Sequence, residues 1–133
     1  MSPSGAVQAL ALDVAVPVTV TAALDGRPPP PVESAVYFAV AEALANVVKH
    51  SGATRAEVSL THDGGVLRAV VGDDGGGGAD PARGTGLAGV ARRVGAFDGT
   101  LRVTSPAGGP TTVEVEVPCA LSSSRTTPSS GTA

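Results

Sequence analysis

The sequence predicts an α+β two-layer sandwich, a mixed and largely antiparallel sheet with helices on one face. Three observations carry that reading. Valines alternate at positions 14, 16, 18 and 20, and again at 113, 115 and 117, the period-two mark of half-buried strands. From Val32 to His50, apolar residues at 36, 40, 43, 44, 47 and 48 recur at helical spacing with no Gly or Pro between them. The predicted order is strand, helix, two strands, glycine loop, helix, two strands. It contains hairpins rather than a regular βαβ alternation, which counts against a doubly wound fold.

Residues 1–11 are small and irregular and are expected to form a flexible N-terminal segment. The domain proper is expected over 12–118. Leu12 to Ala22 reads as a strand that Pro17 confines to an edge. Asp25-Gly26 turns the chain, and Pro28 to Pro31 form a stiff connector. Pro31 suits the first turn of the long helix, where a missing N–H costs nothing, and Ser51-Gly52 supplies its stop. Arg55 to Thr61 and Val66 to Val71 read as strands joined by His62-Asp63-Gly64-Gly65, a hairpin signal. Gly72 to Arg83 is a loop. A second helix is expected from about Thr85 to Phe97, with Leu87, Val90, Ala91 and Val94 on one face. Asp98-Gly99 leads into a strand at Thr100 to Ser105, Pro106 to Pro110 is a turn, and Thr111 to Val117 is the last strand. The Ser/Thr-rich tail, 119–133, has little to bury and is expected to be disordered.

Composition narrows the function. The chain has 133 residues, room for one domain. A formal charge of −3 disfavours nucleic acid, and 2% aromatic residues disfavour a base-stacking platform. One cysteine, Cys119, excludes an internal disulfide and any multi-cysteine metal site, and its place beside the tail suits an incidental thiol. No apolar run approaches the roughly 20 residues that span a bilayer, and Met1 to Leu10 lacks the basic start of a secretory signal. A soluble domain of a reduced compartment, without direct membrane contact, is therefore expected, whether free-standing or one piece of something larger.

Four polar residues interrupt the long helix. At 100° per residue, Asn46 lies about 40° from Glu42, His50 about 80° and Lys49 about −20°, so all four share one stripe. Such a stripe is ordinarily a solvated face. Asn is a mediocre helix former, however, and its carbonyl oxygen is a good ligand for a hard cation. A glutamate one turn earlier can orient a water, and Lys or His one turn on can meet a phosphate. Asp73-Asp74-Gly75-Gly76-Gly77-Gly78 ends a predicted strand. Four glycines explain a flexible connector, yet a carboxylate there can accept from an exocyclic amine while glycines let a flat ring approach. Gly84-Thr85-Gly86-Leu87 opens a predicted helix, where backbone N–H groups favour an anion. Gly84, Gly86 and Gly89 spell G-x-G-x-x-G, but no strand directly precedes them and no acid stands about 20 residues on, so the dinucleotide reading is set aside. There is no P-loop and no G-x-S-x-G elbow.

The order of these signals is more specific than any one of them. EALANVVKHSGA resembles the asparagine box, VVGDDGGGG the first glycine box and GTGLAGVARRV the second, of the ATP-binding domain of sensor histidine kinases, in the superfamily shared with gyrase and MutL. The phrasing is nearest the nitrate-sensor-like class, and the resemblance covers about Val14 to Pro118. It implies ATP and Mg²⁺. Asn46 would hold Mg²⁺ through its amide oxygen, and Glu42 would orient a water or help deprotonate the attacking histidine. Lys49 and His50 would sit near the phosphates. Asp73 would accept from the adenine amine, Gly75 and Gly77 would shape the base pocket, and Gly84, Gly86 and Leu87 would close over the phosphates. The implied chemistry is positioning and charge neutralisation around a loose phosphoryl transition state.

Some residues depart from the pattern. Phe38 stands where many relatives carry arginine, Ala91 where a second-helix arginine is common, and Phe97-Asp98-Gly99 where Leu-Gly-Gly is usual. Neither His50 nor His62 sits in a phosphoacceptor motif. The resemblance therefore implies a catalytic domain whose substrate histidine lies on a dimerisation segment outside this chain, with a response regulator downstream. Two other readings stay open: a stand-alone anti-sigma-factor serine kinase of the same superfamily, and a degenerate nucleotide-binding module.

Overall fold

Alternating burial along the strands sets the architecture. The computed structural model describes residues 3–12, 14–48, 52–76 and 86–122. In chain order the elements are α1 (Pro3–Leu12), β1 (Val18–Ala23), α2 (Pro30–Asn46), β2 (Ala56–Asp63), β3 (Val66–Asp73), α3 (Leu87–Gly95), β4 (Thr100–Thr104) and β5 (Thr111–Pro118). The strands form one sheet in the order β1-β2-β3-β5-β4, with β1 parallel to β2 and every other pair antiparallel. One strand face, with Val58, Leu60, Leu67, Ala69, Val71, Val113, Val115 and Val117, is buried against the helices in a single core. The other face is polar, and there Arg68 pairs with both Glu114 and Glu116 of β5. The fold is thus the α+β mixed sheet with helices that the sequence predicts.

Local chemistry explains the element ends. α2 opens on consecutive prolines, the Glu33 N–H already donating to the Pro29 carbonyl at 2.9 Å. The β2–β3 connection is a two-residue turn of Gly64 (φ 60°) and Gly65 (φ 78°), the left-handed pair that a tight hairpin requires. Asp98 takes a φ of 62°, which Asp tolerates better than most residues, and Gly99 follows close against the Val94 and Glu116 carbonyls.

Five expectations change. Of the segment 1–11 expected to be flexible, residues 3–11 are helical: α1 occupies Pro3–Leu12, and Val7 is 2% exposed against the core. Small residues that look featureless in sequence can pack closely once a partner surface exists. The first strand is shorter than Leu12–Ala22 and begins just after Pro17, whose carbonyl accepts the Ala56 N–H. It is the edge strand that the proline predicts. The long helix ends regularly at Asn46, and Val47 and Val48 continue it in a wider turn. Ala91 is exposed, because α3 buries only Leu87, Val90 and Val94. At the C-terminal end, residues 119–122 are held in place: the Cys119 N–H donates to the Gly65 carbonyl, and Ser122 and Arg27 exchange two backbone hydrogen bonds of 2.8 Å. Residues 123–133 of the expected tail lie outside the described residues.

Candidate functional site

Topology brings the polar residues to one end of the sheet. β1 and β2 are parallel, so α2 must run back between them and finish where β2 begins. Register then places Ala56, the first residue of β2, opposite Asp73, and Asp73 opposite Thr111. The C-terminal turn of α2, with Glu42 and Asn46, therefore overlies the sheet end that carries Asp73.

Asn46 is half-buried, and its Nδ2 has almost no exposure and no hydrogen-bond partner among the described residues. An orphaned buried amide in a helix is uncommon and calls for an explanation. Rotating the amide exchanges nitrogen and oxygen, so the same spot can present a donor or a hard-cation ligand. One turn earlier, the Glu42 carboxylate lies against the backbone of Gly86, where a Cβ would overlap Oε2. Gly86 has a φ of 86°, the left-handed conformation in which glycine is least strained, and it immediately precedes α3. Leu87, fully buried, begins that helix and anchors it to the core.

Asp73 occupies the core-facing side of β3 and is 9% exposed. Its Oδ1 accepts the Gly75 N–H at 2.7 Å, its one side-chain hydrogen bond among the described residues. Burial pushes its carboxyl above the ordinary carboxylate value, against the opposing pull of the Gly75 N–H. The neighbouring acid is spent differently. Asp74 accepts from the N–H of Thr54 at 2.8 Å, from the Thr54 hydroxyl, and from the N–H of Arg55 at 3.1 Å. Those bonds, the Thr54 hydroxyl first, hold its carboxyl down to about 2. A polar groove of about 270 Å³ opens here, lined by Arg55, Gly72, Asp73, Asp74, Pro110 and Thr111 among others.

Two contributions were not foreseen from sequence. Thr111, 7% exposed, stands beside Asp73 on the adjacent strand and shares a 2.7 Å hydrogen bond with Ser105. The β4–β5 turn props the glycine loop: the Gly108 N–H donates to the Gly76 carbonyl at 2.8 Å, and a Cβ on Gly109 would overlap the Gly75 carbonyl oxygen. The first could have been suspected from the Thr-Thr that opens the last strand. The second is a contact between loops far apart in sequence and leaves no local signal.

Glu42 with Gly86 and Leu87 thus forms one cluster, and Asp73 with Gly75 a second. Lys49, His50, Gly77 and Gly84 lie outside the described residues. Phe38, one turn before Glu42, faces α3, and the Arg93 guanidinium lies 4.0 Å from its ring centroid. His62 donates from Nε2 to the Cys119 carbonyl at 2.7 Å, a structural bond at the far end of the β2–β3 hairpin. Burial raises the Cys119 thiol, the direction opposite to that of an activated nucleophile. Among the described residues no cluster of three His, Cys, Asp or Glu side chains could hold a metal by itself, and no helix is long and apolar enough to cross a membrane.

The sequence pattern of the family described as histidine kinase-, DNA gyrase B-, and HSP90-like ATPase matches residues 32–121. Among solved structures, the histidine kinase domain of the Erythrobacter litoralis blue-light activated histidine kinase is 27% identical, with a TM-score of 0.66 over 86% of this chain and 60% of that one. The ATP-binding domain of PrrB from Mycobacterium tuberculosis is 25% identical, with a TM-score of 0.67 over 90% and 96%. The mycobacterial sensor histidine kinase MprB, at 24% identity, shares the fold with a TM-score of 0.64 over 90% and 93%. No curated protein matches the chain.

Proposed function

We propose that this chain, which belongs to the histidine kinase-, DNA gyrase B-, and HSP90-like ATPase family, is the ATP-binding catalytic domain of a two-component sensor histidine kinase. The observation that carries the reading is the buried Nδ2 of Asn46, without a partner among the described residues, on a helix whose C-terminal end the parallel β1–β2 pairing returns toward the sheet end of Asp73. A Mg²⁺–ATP complex is a ligand that explains both residues. Bound Mg²⁺ would offset the phosphate charge and polarise the transferred phosphoryl group.

The chain's own residues fit that ligand. The second oxygen of Asp73 is left to accept from the adenine amine, and burial excludes the water that would compete for it. Gly75 keeps the loop backbone close to the base, with Thr111 beside Asp73 on the neighbouring strand. Asn46 would supply a carboxamide oxygen to Mg²⁺. Glu42, resting on the Gly86 backbone, is placed to hold a water or to take a proton from an incoming histidine. The α3 N-terminus, with Gly86 and Leu87, offers N–H groups to the phosphates. Lys49 and His50 would meet the phosphates, Gly77 would serve the base and Gly84 the phosphates, as the resemblance implies.

On this reading the phosphoryl group passes to a histidine on a helical dimerisation segment and then to a response-regulator aspartate, in the cytoplasm. Calorimetry of the full chain with ATP, with and without Mg²⁺, tests the first step. Binding that needs Mg²⁺ and vanishes in Asn46→Ala is expected, and no heat at millimolar ATP would refute it. Labelled phosphate moving to a histidine-bearing helical segment tests the second step. Transfer to serine on a partner protein instead would favour the anti-sigma-factor reading, and binding without transfer would mark a degenerate module.

A further inference from the structure

Phe38 departs from the family pattern, and its ring has a definite use. Going back one turn of α2, from Glu42 to Phe38, goes forward along α3 from Gly86 to Gly89 and Arg93. The Glu42 carboxylate meets Gly86, a Cβ on Gly89 would stand 4.0 Å from the Phe38 ring, and the Arg93 guanidinium lies 4.0 Å from its centroid. The two helices are therefore antiparallel where they touch, with these residues as successive rungs. Leu87, Val90 and Val94 fix α3 to the core along one side only. On the rim, where Arg93 is exposed and Phe38 half-buried, the described side-chain contact is this cation–π stack.

We propose that Phe38 is a positioning residue for nucleotide binding: by carrying the Arg93 guanidinium on its ring it sets the rotation of α3 against α2 and keeps the Gly86 backbone against Glu42. The inference deepens the ATP-binding reading and rests on it. Phe38 acts on the phosphate end, through α3, and not on the adenine end, which Asp73 holds from β3. Its loss therefore changes the preference for ATP over adenosine rather than affinity for both.

The test titrates the full chain with Mg²⁺–ATP and with adenosine, for the wild type, Phe38→Leu, Phe38→Tyr, Arg93→Met and Arg93→Lys, with a thermal melt of each. Leucine fills the space without a π face, tyrosine restores the face, and lysine keeps the cation. Phe38→Leu and Arg93→Met are expected to weaken ATP by about five- to tenfold and leave adenosine unchanged, while Phe38→Tyr and Arg93→Lys recover most of the loss. If Phe38→Leu does not fold, the exposed Arg93→Met carries the same comparison. Wild-type ATP affinity in both Phe38→Leu and Arg93→Met, or a parallel fall in ATP and adenosine, overturns the proposal. A wild type that binds neither ligand overturns the nucleotide reading and this inference with it, an outcome distinct from a wild type that binds both while its variants show no selective loss.

Discussion

The Asp74 carboxylate accepts the Thr54 N–H at 2.8 Å, tying the turn before β2 to the end of β3 twenty residues away. Two consecutive acids in one glycine-rich motif therefore have opposite tasks. Asp74 is exposed and committed to the Thr54 hydroxyl and the Thr54 and Arg55 N–H groups, whereas Asp73 is buried with an oxygen to spare.

For Asp74 the folded carboxyl titrates near 2, below its ordinary 3.8. A depressed value means stability that is present above the unfolded value and lost as pH falls through the folded one. Asp74→Ala should melt at a lower temperature than the wild type at pH 7, and the gap should close as pH drops from about 4 toward 2. A gap that stays constant across that window would show that the carboxylate charge is not what holds the turn.

Asp73 has the reverse sign. Burial raises its folded value above 3.8, so ionisation costs stability once pH exceeds the folded value, and the cost disappears below the unfolded one. Asp73→Asn keeps an oxygen for the Gly75 N–H but turns an NH2 toward the adenine amine, donor against donor. It should melt at or above the wild-type temperature at pH 7 while ATP binding falls by about ten- to a hundredfold. Melts at pH 7 and about pH 3, set beside ATP titrations, check both halves.

Asn46→Ala should separate binding from stability in the same way. Among the described residues the Nδ2 has no hydrogen bond to lose, and alanine improves helix preference by about 0.5 kcal/mol. The thermal midpoint should hold or rise while Mg²⁺-dependent ATP affinity falls more than about tenfold. A midpoint loss as large as that of a core truncation would assign the amide a structural task instead.

Gly109→Ala should act at a distance. Gly109 has a φ of 77°, so alanine there costs about 1–2 kcal/mol in backbone strain, and its Cβ overlaps the Gly75 carbonyl besides. Lower stability together with weaker ATP and adenosine binding is expected, because the displaced loop is the one that follows Asp73. Unaltered adenosine affinity would show that the β4–β5 turn does not support the base pocket.

Much of this arrangement was legible in the residues. Period-two valines and the Gly64-Gly65 turn specify the sheet, since a one-residue slip would turn the apolar face outward. Pro17 and the prolines before α2 mark an edge strand and a helix start through backbone chemistry alone. The Glu42–Asn46 spacing and the motif order exposed the helix side of the candidate site. What stayed hidden depends on partners distant in the chain. Val7 packs only because β1 and α2 form a surface beneath it, and Thr111 matters because register sets it beside Asp73. Phe38 looked like the loss of an arginine, and the stack with Arg93 became visible only when α2 and α3 were placed together.

Ser122 closes the chain onto Arg27 with a reciprocal pair of backbone bonds, and Gly26 is small enough to let the strand approach. The turn that launches α2 is thus finished by residues made almost a hundred positions later. As the polypeptide leaves the ribosome, the helix bearing Glu42 and Asn46 emerges early but its entry stays open until Ser122 is clear of the tunnel. Final seating of that helix accordingly waits on residues that follow the last strand of the sheet.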